Sequence, residues 1–126
     1  MKAKQLFEYR ENAAEVGDCF LGTVPAGLTS TGALLQALYD CLTLPGYFGF
    51  NWNALRDCLR DFHWIEQRRI VLRHLDLPPI PTADLRMYLE VLSEAVASWP
   101  PDEKHSLQVV FPARRRQDIA AIMKGE

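Results

Sequence analysis

Residues 44–64 read Leu44-Pro45-Gly46-Tyr47-Phe48-Gly49-Phe50-Asn51-Trp52-Asn53-Ala54-Leu55-Arg56-Asp57-Cys58-Leu59-Arg60-Asp61-Phe62-His63-Trp64. The stretch opens with turn chemistry. Pro45 fixes its own φ, and Gly46 and Gly49 accept backbone angles that other residues avoid. Asn51 stands where a helix N-cap is expected, its side-chain oxygen able to take an otherwise unpaired backbone N–H. Beyond it, Trp52, Leu55, Cys58 or Leu59, and Phe62 recur at helical spacing and form one apolar face. Asn53, Asp57 and Asp61 fall one turn apart on another face, flanked by Arg56 and Arg60. The spacing predicts a short helix that buries an aromatic-rich side, shows a polar row, and ends near Trp64. The loop before it exposes or half-buries Tyr47, Phe48 and Phe50.

Upstream, Cys19-Phe20-Leu21-Gly22-Thr23-Val24 reads as a buried strand after the Gly17-Asp18 turn, closed by Pro25-Ala26-Gly27. Thr29-Ser30-Thr31 offers N-caps for a helix whose apolar face is Leu34, Leu35, Leu38 and Cys41-Leu42. Residues 1–18 are the least legible. Gln5 to Tyr9 alternates loosely, as an edge strand does, and Glu11 to Val16 fits a helical turn equally well. Downstream, Ile70-Val71-Leu72 is a continuous apolar run of the kind found in a central parallel strand. Leu77-Pro78-Pro79-Ile80-Pro81 has to be a connection. Thr82 is the expected cap of a helix carried by Leu85, Tyr88, Leu89, Leu92, Ala95 and Val96, which Pro100-Pro101 stops. Leu107 to Phe111 is the last strand. Arg114-Arg115-Arg116 begins a tail in which Ile119, Ile122 and Met123 suffice for an amphipathic turn or two.

The order strand, helix, helix, strand, helix, strand implies a parallel sheet with right-handed crossovers. At 126 residues, 48% hydrophobic and 24% charged, the chain is sized and composed as one globular domain. A net charge of −2 does not suggest nucleic-acid or membrane binding, and no apolar run is long enough to span a bilayer. Three arginines in a row without interleaved aromatics read as a solvated tail rather than an RNA patch. Glu8, Arg10 and Glu11 stand where a secretion signal would have its apolar core, so a cytoplasmic location is expected. Cys19, Cys41 and Cys58 are an odd count without metal-like pairing and are expected as free thiols; a disulfide between two of them is the alternative. His63, His74 and His105 lack ligand spacing, so neither metal nor cofactor is expected.

Leu44-Pro45, Tyr47-Phe48-Gly49, Asn51, Ala54-Leu55 and Asp57-Cys58-Leu59 resemble the barstar family, intracellular inhibitors of the ribonuclease barnase and its relatives. The resemblance is strong over about twenty residues, where turn, cap, apolar face and acid follow in the family's order. It is weaker over the rest of the chain. It implies an α/β fold in which a three-stranded parallel sheet is covered by helices, with an N-terminal extension that is free to add an edge strand. It implies one domain over residues 1–126, with a core of about 19–111, an extension over 1–18 and a tail over 112–126. It implies a protein that is no enzyme, is monomeric when free, and plugs a ribonuclease active site with the Tyr47 loop and the Asn51–Phe62 helix. Such a protein guards a cell against its own nuclease or serves as the immunity protein of a toxin. The alternatives are a barstar-fold module whose partner is not a nuclease, and an enzyme built on Asp57, Cys58 and His63.

The resemblance also assigns residues. Asp57, otherwise an ordinary solvated acid, matches the family's key carboxylate. It enters the phosphate pocket of the nuclease, because a carboxylate accepts charge-assisted bonds from guanidinium as a phosphate does. Tyr47 matches an interface tyrosine, and Phe48 is assigned to the core. Phe62 divides evenly between contact and core. Asn53 replaces a common Asp, which loses a charge and weakens steering. Arg56 and Arg60 are a second departure. Either they pair with neighbouring acids, Arg60 with Asp57, or they select a partner with an acidic rim. Asp61 completes the polar row, and Glu94, on the third helix, resembles a peripheral acidic contact whose ordinary reading is a solvated side chain.

Overall fold

The computed structural model describes residues 6–11, 18–100 and 104–124. In chain order the elements are β1 (Phe7–Tyr9), β2 (Cys19–Val24), α1 (Thr31–Cys41), α2 (Trp52–Leu59), β3 (Arg69–His74), α3 (Thr82–Ala97), β4 (Ser106–Phe111) and α4 (Arg116–Met123), with a tight 3-10 turn over Ala113–Arg115 leading into α4. The sheet is parallel throughout, in the order β1-β4-β3-β2.

Ile70, Val71 and Leu72 lie on a central strand as expected, with Ile70 opposite Phe20 on one side and Leu107 on the other. The sheet has four strands rather than three. The fourth is β1, which adds to β4 with Phe7 opposite Val109, so part of the N-terminal extension is an edge strand. The reading of Glu11 to Val16 as a helical turn falls mostly outside the described residues. A second correction concerns β2. Its apolar run suggested a strand covered on both faces, but it is the other edge of the sheet, and Leu21 is 40% exposed.

Leu34 and Leu38 of α1, Leu55 and Leu59 of α2, Leu85, Leu89 and Leu92 of α3, and Ile70, Leu72, Val109 and Phe111 of the sheet form one buried core. Two tryptophans fix the ends of the first two helices within it. Trp64 Nε1 donates to the carbonyl of Leu42 at 3.0 Å, and Trp99 Nε1 donates to the carbonyl of Leu59 at 3.0 Å. Both carbonyls belong to the last turn of a helix, where intrahelical donors run out. At β2, a side chain in place of Gly22 would meet Leu42 and the Cys41 carbonyl at 3.0–3.1 Å, so α1 ends in close approach to the sheet.

The caps follow the sequence in two of three cases. Ser30 accepts from the Ala33 N–H at 3.1 Å, and Asn51 accepts from the Ala54 N–H at 2.8 Å. Thr82 does not cap α3. Pro81 occupies the N-cap with no side-chain bond, and Asp84 in the first turn accepts from the Thr31 hydroxyl at 2.9 Å, tying α3 to α1. Helix α2 stops at Leu59, earlier than the periodicity implied, because Arg60 leaves helical geometry and Phe62 turns to a φ of 53°. With only eight residues, α2 depends heavily on its cap. Asn51→Ala is expected to cost about 1 kcal/mol of folding stability, measurable by urea denaturation.

The arginine tail is not solvated. Arg115 Nε bonds Asp76 at 2.8 Å and Arg115 Nη1 bonds Asp118 at 3.0 Å. Arg114 pairs with Glu11 and Asp76, and the Arg116 guanidinium stacks 4.7 Å over the Tyr9 ring. The Arg115 hydrogen bond holds the Asp76 carboxyl below its usual range. These contacts dock α4, whose Ile119 is buried, onto the body of the protein.

Candidate functional site

Helix α2 packs its buried side, Leu55, Cys58 and Leu59, inward and lies against α3. The loop before it is held by a turn in which the Phe48 N–H donates to the Pro45 carbonyl at 2.9 Å. Phe48 is buried and anchors that loop, as expected; Tyr47, its neighbour, is 70% exposed. Phe48, Phe50 and Tyr39 stack on one another with ring centroids 4.8–6.3 Å apart. Phe62 is fully buried between Trp64, Trp99 and His105, which leaves it no part in an outer surface.

Asn53, Asp57, Arg60 and Asp61 are exposed along α2 and its C-terminal turn, and Arg56 is half-buried beside them. Two internal contacts divide this row. Arg56 Nε donates to Glu94 Oε1 at 2.8 Å, across to α3, while Arg56 Nη1 donates to Asn53 Oδ1 at 2.9 Å. Asp61 accepts from the His63 backbone N–H at 3.2 Å and lies 2.8 Å from His63 Nδ1. Arg60 makes no ion pair with Asp57, although the i, i+3 spacing allows one. Among the described residues, the Asp57 carboxylate has no hydrogen bond or ion pair at all, and the Arg60 guanidinium has none either.

Tyr47 sits on the flank of the helix nearer Asp61. Its phenol pKa is raised, first by the atoms it packs against and then by the negative field of Cys58 and Asp61. On the other flank, Asn51, Trp52, Asn53, Arg56 and Met87 line a depression of about 350 Å³. A second depression of about 420 Å³ lies beyond the end of α2, lined by Asp61, His63, Ile65, Glu66, Trp99, Lys104 and His105. Phe50 and Met87, 43% and 38% exposed, stand beside the row and were absent from the sequence-derived candidates. Their apolar character placed them on core faces, and only the packing of α2 against α3 leaves them outside.

All seven candidates, Tyr47, Asn53, Arg56, Asp57, Arg60, Asp61 and Glu94, are therefore grouped around one helix. They differ in what they are free to do. Asn53, Arg56 and Glu94 form a clamp between α2 and α3, whereas Tyr47, Asp57 and Arg60 present unengaged polar groups. The chemistry speaks against a nucleophile. Cys58 is buried, and its thiol pKa is raised by that burial and by the neighbouring Asp61 and Asp57 carboxylates, so it stays protonated at neutral pH. Cys41 is pushed up to about 11, mainly by burial. All three cysteines are free thiols. Among the described residues, no group of three or more His, Cys, Asp or Glu side chains converges as a metal site, and no helix is long and apolar enough to cross a membrane.

The family model described as Barstar (barnase inhibitor) matches residues 25–112. No individual curated protein matches the chain. The matched span takes in the loop, α2, α3 and β4, and leaves β1, β2 and α4 outside it. It covers well over half of the sequence and carries the whole exposed row. On that match the chain belongs to the barstar (barnase inhibitor) family.

Proposed function

We propose that this protein inhibits a ribonuclease by covering its active site with the Tyr47 loop and helix α2. The observation that carries the reading is the Asp57 carboxylate. It is exposed at the centre of the family-matched surface and, alone among the acids of its row, has no internal partner. A carboxylate held on a capped helix can replace an RNA phosphate against the cations of a nuclease, with little reorganisation on binding. Tyr47 beside it supplies rigid apolar area with a polar tip, a common hot-spot chemistry. Arg60 adds a positive charge that an acidic group on the nuclease rim would meet. Glu94 and Asn53 act on this surface through Arg56, which they hold in place.

The inhibitor would work by occlusion, without a catalytic step, in the compartment where the nuclease endangers the cell's own RNA. Three free thiols are consistent with a reducing cytoplasm. The nuclease is either a product of the same cell or a toxin to which this protein gives immunity. The test is an RNA-cleavage assay with purified barnase-type ribonucleases. The expected result is stoichiometric loss of cleavage on adding the protein, with no RNA hydrolysis by the protein alone. Binding that leaves cleavage intact would point instead to a module with another purpose.

A further inference from the structure

The charges around Asp57 nearly cancel. Asp57, Asp61 and Glu94 face Arg56 and Arg60, and Arg56 is already engaged by Glu94 and Asn53. Where a third acid would strengthen the row, the chain has Asn53. A surface so close to neutral steers a basic nuclease weakly, so affinity has to come more from contact than from long-range attraction.

Contact area of the right kind borders the row. Phe50 and Met87 are exposed, and half-buried Trp52 lies between them in the chain's packing, walling the depression between α2 and α3 together with Asn53 and Arg56. Phe50 has a φ of 54°, a backbone state that is unfavourable for a residue with a side chain and easier for glycine or asparagine. The position instead carries an aromatic ring, braced against Tyr39 at 5.2 Å and Phe48 at 4.8 Å so that it is held rigid at the surface. Strain of this sort at an exposed position is a mark of function rather than of folding. The Met87 thioether is adaptable enough to fit a side chain of irregular shape.

We infer that Phe50, Trp52 and Met87 form an apolar shelf that receives a non-polar or aromatic side chain from the rim of the inhibited ribonuclease. The inference rests on the ribonuclease reading above and adds to it a second contact, on the α3 side of the acid row. Tyr47 occupies the opposite flank, so Asp57 would meet its cations inside a ring of apolar groups that keeps water out. The shelf also accounts for selectivity: a nuclease with a wholly polar rim would leave it unmatched.

The experiment compares inhibition of purified ribonucleases of the barnase type, barnase among them, by the wild-type protein and by Phe50→Asn, Phe50→Leu and Met87→Ala, at low salt and at high salt. Asparagine accepts the left-handed backbone, so Phe50→Asn removes the ring and keeps the turn. Leucine keeps an apolar body on the Tyr39–Phe48 stack, which guards against a fold effect. Phe50→Asn is expected to weaken inhibition about tenfold or more, Met87→Ala several-fold, and Phe50→Leu by an intermediate amount. These losses should persist at high salt, where losses due to ion pairs shrink. Inhibition equal to wild type by Phe50→Asn and Met87→Ala, or losses that vanish at high salt, would overturn the shelf and leave the inhibitor reading standing. If the wild-type protein inhibits none of the enzymes, the inhibitor reading fails and the shelf fails with it.

Discussion

Asp57→Ala should melt with the wild-type protein and fail to inhibit the nuclease, while Leu59→Ala should melt early. The two residues are two positions apart on α2, so their side chains diverge by about 200°. Leu59 is fully buried among the helices and the sheet, and its truncation leaves a cavity that costs on the order of 2–5 kcal/mol of folding stability. Asp57 is exposed and makes no contact within the fold, so its loss should change stability by about 0.5 kcal/mol or less. In a complex the same substitution deletes a desolvated charge and leaves the enzyme's cations unpaired, a loss of about 2 kcal/mol or more, at least thirtyfold in affinity. Thermal melting and inhibition titrations on both variants separate the two roles. Unchanged inhibition by Asp57→Ala would remove the helix-in-active-site mode for this protein, whatever its family.

Much of this surface could be read from local sequence, because the signals that build it span only a few residues. Asn51 announces the start of α2 through a bond to the N–H three residues on, and the 3.6-residue period separates Leu55 and Leu59 from Asn53 and Asp57. Ser30 and the run Ile70-Val71-Leu72 were legible for the same reason. What escaped the sequence depends on distant partners. The Arg56–Glu94 pair joins residues 38 positions apart, and no period reveals that Arg56 turns to α3 while Arg60 stays unpaired. The tail reads as solvated until Asp76, some 39 residues earlier, is found against Arg115. Strand β1 has three residues, too few for an alternation to be distinctive, and its place is set by β4 at the other end of the chain. An apolar run such as Cys19–Val24 likewise says nothing about whether a neighbour lies on one side or both.

Acid should destabilise the fold through one buried histidine. His74 is 2% exposed, stacked on Phe111 with centroids 4.0 Å apart. Its Nδ1 lies 3.0 Å from the Val110 carbonyl and its Nε2 lies 2.7 Å from the Tyr88 hydroxyl. A carbonyl can only accept, so Nδ1 carries the proton and Nε2 accepts from Tyr88. The neutral ring is satisfied on both sides, and a second proton would charge it inside the core. Burial therefore lowers its pKa from 6.5 to about 4, against a smaller opposing effect of the Val110 bond. Above pH 6.5 the ring is neutral whether the chain is folded or not, and His74 makes no difference to the balance. Between 6.5 and about 4 only the unfolded chain takes up the proton, so stability falls with pH. The accumulated loss is about 3 kcal/mol near pH 4, a large share of what holds a domain of this size together. Urea denaturation at a series of pH values, with His74→Gln alongside, isolates the effect. The variant should be less stable at pH 7 and flatter from pH 6.5 to 4, where carboxylates of ordinary pKa still contribute little. Tyr88→Phe strands Nε2 without a donor and should cost about 1–3 kcal/mol at pH 7. Parallel pH profiles for the wild type and His74→Gln would mean that the ring is hydrated or titrates normally, and the relay from Val110 through His74 to Tyr88 would lose its role in the core.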